Sequence, residues 1–388
     1  MDIRILEIHS LDEAARVIES VGADPYAVPL MAPKALLRTL VLQGVDNRAA
    51  NLIKQEMLAL GGEAAVNRSV SSFCRGTSNV FIMGTERQCC HLLKKLATQP
   101  FGLKSWKAKL ETALSHYRQH SYEIHCGKKR LKLGPRPLVM GIVNVTPDSF
   151  SDGGKYNDTD RAAVQAGLLA EQGAQIIDIG GESTRPGAKP VPAAEEINRV
   201  VPVIKRIVKT CRVPVSIDTY KPAVARAALD AGASLVNDIT GLRYENGDMA
   251  RVVSRFKVPV VLMHMQGMPR TMQKAPRYND VVADIFDFFS ERIAFALQHG
   301  INEEQIILDP GIGFGKTVDH NVELLRRISE FKALGRPLLI GTSRKYFIGA
   351  VTGAQPANER LAGSLASVLW SALQGVQVVR VHDVRETV

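Results

Sequence analysis

Carboxylates, carboxamides and cations recur along the last two thirds of this 388-residue chain, each just after a short apolar run. In order they are Asn144, residues 180–184, Asp218, Asn237 with Asp238, His264, Asp309, residues 343–345, and Arg380 with His382. The set is chemically divided. Asp218, Asn237 and Asp309 offer acceptors to a heterocycle rich in N–H donors, whereas Arg380, His382 and Asn144 suit phosphate oxygens. Any one of them could merely cap a helix or close a turn. Eight polar run ends together point instead to a substrate with a polar ring at one end and a phosphate at the other.

The elements that must position these groups are visible as a rhythm. Val/Ile/Leu-rich runs lie at 138–144, 175–180, 213–218, 234–237, 258–263, 305–309, 337–342 and 377–381. Between them, segments such as 161–174, 193–208 and 280–300 have helical apolar spacing. Eight strands alternating with helices over about 250 residues predict an α/β chain with a (β/α)8 TIM barrel, the near-continuous apolar strands being buried on both faces. An open doubly wound sheet is the rival arrangement. In a barrel the polar run ends converge on the C-terminal rim, where such folds carry their sites. That explains why the run "LVMGIVN" breaks into "VTPDSFSDGGK".

The barrel is expected over residues 138–388. Residues 126–137, "CGKKRLKLGPRP", read as a basic linker, and residues 1–125 as a smaller N-terminal α+β domain, possibly ferredoxin-like and without an evident activity. In that domain Asn47 is the expected N-cap of a helix that stops at Gly61-Gly62. Cys89-Cys90 fall inside a helical pattern, where packing explains them. Oligomer contact or regulation is the expected role of the extra domain.

The formal charge of +10 sits mainly in residues 1–137, which hold 20 basic against 12 acidic side chains. No aromatic residues interleave the basic run, so no nucleic-acid partner is expected. The N-terminus lacks a signal-peptide pattern and no apolar run reaches membrane-spanning length, so no membrane association is expected. Five scattered cysteines without paired spacing argue against disulfides and zinc and fit a cytoplasmic protein. Two near-motifs fail. Residues 310–317, "PGIGFGKT", place Pro310 where a P-loop needs glycine, and they spell GxGxG without an acidic ribose partner. These glycines read instead as sites of close backbone approach to a ligand, with Phe314 as an apolar face.

The segments "GIVNVTPDSFSDGG", "DIGGESTRPG", "SIDTYKP", "NDITG", "LMHMQGMP", "LDPGIGFGK", "GTSRK" and "RVHDV" resemble, in order, the signatures of dihydropteroate synthase. The resemblance covers about residues 138 to 385. It implies a transferase of folate biosynthesis that joins 6-hydroxymethyl-7,8-dihydropterin pyrophosphate to p-aminobenzoate, releasing pyrophosphate. By matched position Asp218, Asn237, Met263, Asp309, Phe314, Gly341, Lys345 and Arg380 would bind the pterin. Asn144, Thr184, Arg380 and His382 would bind the pyrophosphate, with Asn144 also reaching Mg²⁺. Phe150, Thr184, Arg185, Pro186, Ser343 and Lys345 would surround p-aminobenzoate. The residues assigned to chemistry are Asp218, Asn237, Asp309, Lys345, Arg380 and His382. A homodimer is also implied.

Three features depart from the family pattern. Tyr346 follows "SRK" where many members have a small Ser, only six residues follow His382 where an eighth helix is expected, and the N-terminal domain is additional. A methyltetrahydrofolate:corrinoid methyltransferase would share the pocket acids, but it has no need of the first loop and the Arg380-x-His382 pair. A non-catalytic pterin binder would have no need to hold a leaving group.

Overall fold

The computed structural model describes residues 3–72, 74–146, 155–183, 187–353 and 356–388. Its contacts divide the chain into two units after Leu114.

The first unit carries α1 (Leu11–Ser20), α2 (Val28–Ala35), β1 (Leu37–Asp46), α3 (Asn47–Ala59), β2 (Glu63–Val66), α4 (Arg68–Ser71), β3 (Thr77–Thr85), α5 (Glu86–Leu96) and the start of α6 (Leu103–Arg118). β3 lies between β1 and β2 and is antiparallel to both. β1 and β2 are therefore parallel, crossed over by α3 and split by β3, which is the core of a ferredoxin-like motif with three strands among the described residues. Ile53, Met57, Val80, Ile82, Leu92 and Leu96 fill its core, and Cys89 packs among them. The cap of α3 differs from expectation: Asp46 accepts from the Arg48 amide at 2.9 Å, and Asn47 donates to the Cys74 carbonyl instead. Both residue types cap well. Pairing of Asp46 with Thr77 ends the strand there and decides between them.

In the second unit the supposed linker is a hairpin. β4 (Tyr122–Cys126) pairs antiparallel with β5 (Lys129–Leu133), turning at Gly127, whose φ is 62°. Arg130 and Lys132 on the alternate positions of β5, with Lys128 and Lys129 at the turn, hide the strand in the composition. The other face carries Ile124, Cys126 and Leu133, which pack on Met140, Ile176, Leu235, Val261, Ile307, Leu339 and Val378. The hairpin thus plugs the N-terminal mouth of the barrel.

The barrel alternates β6 (Leu138–Asn144), α7 (Lys155–Glu171), β7 (Ile176–Gly180), α8 (Ala193–Thr210), β8 (Val215–Asp218), α9 (Pro222–Asp230), β9 (Leu235–Asp238), α10 (Asp248–Phe256), β10 (Val260–Met263), α11 (Val281–Gln298), β11 (Ile306–Asp309), α12 (Val318–Arg327) and β12 (Leu339–Ile340). Then come α13 (Tyr346–Thr352), α14 (Leu361–Leu373), β13 (Val378–Val381) and a short α15 (Val384–Thr387). The eight strands are parallel in the order β11-β10-β9-β8-β7-β6-β13-β12, and a Leu308–Leu338 bridge joins the two ends, so the sheet is closed rather than open. α15 begins where an eighth helix would stand, with Val384 buried against Gly141.

Strand periodicity sorts the side chains. Val143, Ile179, Ile217, Val236, Leu262, Leu308, Ile340 and Val379 join the core shared with the helices. The opposite parity points inward: the apolar layer over the hairpin first, then, two residues further along the same strands, Ile142, Asp178, Asn237, Met263, Asp309, Gly341 and Arg380. On β8 the same parity carries Ser216 and Asp218.

Candidate active site

Arg380, on β13, is the hub of the inward polar layer. Its Nε donates to Asp178 Oδ2 at 2.6 Å and its Nη2 to Asp218 Oδ2 at 2.7 Å. Asn237 Nδ2 donates to the same Asp178 oxygen at 3.0 Å. Parallel register sets Asp218 beside Asn237, Met263 beside Asp309, and Gly180 between Asn144 and Asp218. A Cβ at Gly180 would stand 3.6 Å from both Asn144 Oδ1 and Asp218 Oδ2, so glycine keeps the space between those groups open.

Asp178 was not anticipated as a site residue, because it is embedded in the apolar run "IIDIG". Its signal is that burial itself: an unpaired carboxylate inside a strand is prohibitively expensive, so a cation must reach it.

Burial dominates the electrostatics. It pushes the Asp218 carboxyl up to about 7, with Asp178, Glu196 and Asp238 adding to the rise and Arg380 opposing it. Asp309 is raised for the same reason, against the pull of Lys345. Burial brings Lys345 down to about 8, with Asp309 holding it up. Arg380 is desolvated as well, but Asp178 and Asp218 outweigh that and keep it charged. Among the described residues, the buried oxygens left without a partner include Asp178 Oδ1, Asp218 Oδ1 and Asn237 Oδ1 of this layer, with Ser216 Oγ just below Asp218 on β8. Acceptors kept dry in this way suit a ligand that brings its own N–H donors.

The loops beyond the strands hold the remaining groups. Ser343 Oγ lies 3.1 Å from His382 Nδ1 and accepts from the His382 amide at 3.2 Å, tying the β12 and β13 ends together. Arg344 takes a left-handed φ of 59°, secured by a two-nitrogen contact with Asp383 and by Ser364 and Arg360. It fastens the turn that presents Ser343 and Lys345. Lys345 donates to the Ile312 carbonyl and stands 4.7 Å from the centre of the Phe314 ring. Phe314 packs with Met263.

Asp238 and His264, counted among the rim groups, have other work. The Asp238 carboxylate accepts from the Thr240 amide and hydroxyl and the Leu242 amide, closing the turn after β9. The His264 ring packs edge-on against Phe288. Tyr346 opens α13 with 69% of its surface exposed. Phe150, Thr184, Arg185 and Pro186 lie outside the described residues. The two ends of the segment that carries Thr184, Arg185 and Pro186 are clamped: Lys221 donates to Glu182, to Glu196 at 2.5 Å and to the Val191 carbonyl at 2.6 Å, while Glu182 accepts from Val191 N at 3.0 Å.

The glycines of residues 310–317 correct the sequence reading. A Cβ on Gly311 would lie 2.0 Å from the His264 carbonyl oxygen and one on Gly315 2.6 Å from that of Gln266. At Gly311 and Gly315 the close approach is to the loop after β10, whereas a Cβ on Gly313 would stand 3.3 Å from Lys345 Cδ.

Residues 140–382 match the pterin binding enzyme family. Dihydropteroate synthase of Escherichia coli K12 is 50% identical over 252 residues, covering 65% of this chain and 88% of the relative. The chain belongs to the dihydropteroate synthases. The fold agrees: a Xanthomonas albilineans dihydropteroate synthase solved with 4-aminobenzoic acid superposes with a TM-score of 0.65 at 48% identity, over 69% of this chain and 94% of that one. The same enzyme in complex with 7,8-dihydropteroate gives a TM-score of 0.62 at 44% identity, over 68% and 94%. A probable bifunctional folylpolyglutamate synthase/dihydropteroate synthase of Halobacterium salinarum is 41% identical over 385 residues. That match covers 98% of this chain and 45% of the relative, so it extends through the N-terminal unit as well.

A dihydropteroate synthase has to hold a leaving anion, and metal is a natural aid. Among the described residues no group of three His, Cys, Asp or Glu could cage a metal ion. The Asn144 carboxamide oxygen at the rim, beside Gly180 and facing Asp218, fits an ion that takes most of its ligands from water and phosphate, as Mg²⁺ does.

Proposed function

We propose that the protein joins 6-hydroxymethyl-7,8-dihydropterin pyrophosphate to p-aminobenzoate, forming dihydropteroate and pyrophosphate, and that the inward polar layer is where it does so. The observation that carries this reading is the set of unpartnered buried oxygens on Asp218 and Asn237 beside Arg380. Asp218, Asn237 and Asp309 receive the N–H edge of the pterin, and Met263, Phe314 and Gly341 form the apolar walls. A bound ring donating to Asp218 favours its ionised form, and the carboxylate then stabilises the positive charge that grows on the pterin as the C–O bond breaks. Lys345 and Arg380 flank the ring. Arg380, His382, Asn144 and Thr184 hold the pyrophosphate as it departs. Mg²⁺, bound through Asn144 and phosphate oxygens, would neutralise leaving-group charge.

Phe150, Thr184, Arg185, Pro186, Ser343 and Lys345 enclose p-aminobenzoate. An arylamine is unprotonated at neutral pH, so its attack needs orientation rather than a strong base.

We also assign a homodimer, supported by exposed apolar side chains on adjacent helices: Val322 on α12, Val351 on α13, and Leu369 and Leu373 on α14. A self-complementary patch of this kind suits a two-fold interface. The cysteines among the described residues are free thiols, which a reducing compartment preserves, and we place the protein in the cytoplasm. Among the described residues no helix is long and apolar enough to cross a membrane.

The test is pyrophosphate release by the purified chain with dihydropterin pyrophosphate, with and without p-aminobenzoate and with Mg²⁺ or chelator. Metal-dependent release accompanied by dihydropteroate is expected. Binding of the pterin without any turnover would overturn the proposal.

A further inference from the structure

Lys316 is a buried amine that the reaction does not use, and burial pushes it well below the usual lysine range. It is 3% exposed, and among the described residues it has no carboxylate within ion-pair distance. Its Nζ lies 3.0 Å from His264 Nδ1, 3.0 Å from the Phe314 carbonyl oxygen and 3.4 Å from that of His264. Desolvating an amine without a counter-charge works against folding, so its place calls for a structural or functional return.

That place is the back of the turn that follows β11. The turn begins when Gly311 N donates to Asp309 Oδ1 at 2.7 Å, and Phe314 N closes onto the Gly311 carbonyl at 3.0 Å. Gly311 and Gly315 press its backbone onto the segment after β10, where any side chain would collide with the carbonyls of His264 and Gln266. Gln273 and Tyr278 donate to the carbonyls of Gly313 and Gly315 at 2.7 and 2.8 Å. From the pocket side, Lys345 donates to Ile312 and faces the Phe314 ring. Lys316 adds a bond from inside: it joins the turn, at Phe314, to the start of the segment it leans on, at His264.

We propose that Lys316 is a positioning residue for the pterin subsite: without touching substrate, its amino group locks the turn to the β10 loop so that Phe314 and Lys345 stand preset for the ring. The proposal rests on the assignment of Phe314 and Lys345 to the pterin. Preset groups bind without an ordering cost, and a side chain locked by such supporting bonds holds its place more closely than one left to packing alone.

The experiment measures both KM values and kcat for Lys316→Met, Phe314→Ala and the double variant, with thermal melts alongside. Lys316→Met is expected to raise KM for dihydropterin pyrophosphate about 10-fold while KM for p-aminobenzoate stays within about 2-fold. In the Phe314→Ala background the same change is expected to add less than about 2-fold, because the two losses share one cause. Unchanged pterin KM in folded Lys316→Met overturns the proposal, as does an equal rise in both KM values or a loss that simply adds to that of Phe314→Ala. Should Lys316→Met fail to fold, Lys316→Gln keeps two donors without charge, and about a 3-fold rise confined to pterin KM is expected. No rise there overturns the proposal equally. Failure of the underlying site assignment shows separately, as Phe314→Ala alone leaving pterin KM unchanged.

Discussion

The same eight strands build two interiors a few ångströms apart. Below, Met140, Ile176, Leu235, Val261, Ile307, Leu339 and Val378 close against Ile124, Cys126 and Leu133 of the hairpin in a wholly apolar layer. Above, two residues on, the same strands present Asp178, Asn237, Asp309 and Arg380. Backbone geometry is common to both, so the difference lies in side-chain chemistry alone. The lower layer gains from burial. The upper layer bears desolvated charges, visible in an Asp218 carboxyl raised to about 7, and so sets stability against readiness for a ligand.

That contrast can be broken or sharpened by exchanging roles between the layers. The largest effect is expected at Asp218. Asp218→Asn should lower kcat/KM by about 100-fold or more, since a charge-assisted grip on the pterin is lost. Its stability should move the other way with pH. A carboxyl whose folded pKa is raised from 3.8 to about 7 binds more protons folded than unfolded, so its contribution to stability is present below pH 4 and declines as pH rises to about 7. Ligand-free Asp218→Asn should therefore be more stable than the parent at pH 8, by about 2 kcal/mol, and indistinguishable near pH 4. Denaturant melts at the two pH values check this, and equal losses of stability at both would erase the contrast.

In the lower layer the pattern inverts. Leu133→Ala, in the hairpin, should cost about 2–4 kcal/mol in denaturant titration through the cavity it opens, with kcat/KM unchanged well below the melting temperature. A fall in kcat/KM without lost stability would mean that the plug shapes the site above it. The smallest effect is expected outside both layers. Leu369→Glu on α14, where the side chain is 62% exposed, should shift sedimentation from dimer to monomer and change kcat per chain less than about 2-fold.

Much of the barrel was legible because strand and helix periods are local. The eight apolar runs reappear as β6 to β13: β6 keeps its expected bounds, β9 starts one residue later and runs one further to Asp238, and the rest are shortened at one or both ends. Asp218, Asn237 and Asp309 were readable because each ends such a run. The hairpin was not, because Lys128 and Lys129 at its turn and Arg130 and Lys132 on the outer side of β5 mask an apolar face made of only a few residues. Lys316 was hidden inside a motif that resembles a phosphate loop, and only its contacts with His264 reveal what it holds.

The chain by itself determined the strand positions, the inward parity and the chemical types at the rim, since each depends on neighbours within a few residues. Tertiary structure alone decided the pairings. Arg380 meets Asp178 across 202 residues and Asp218 across 162, because barrel closure brings β13 beside β6 and sets its inward side chain against those of β7 and β8. No local pattern encodes which distant carboxylate a guanidinium will find; that is settled when the closed sheet removes both from water and leaves them only each other.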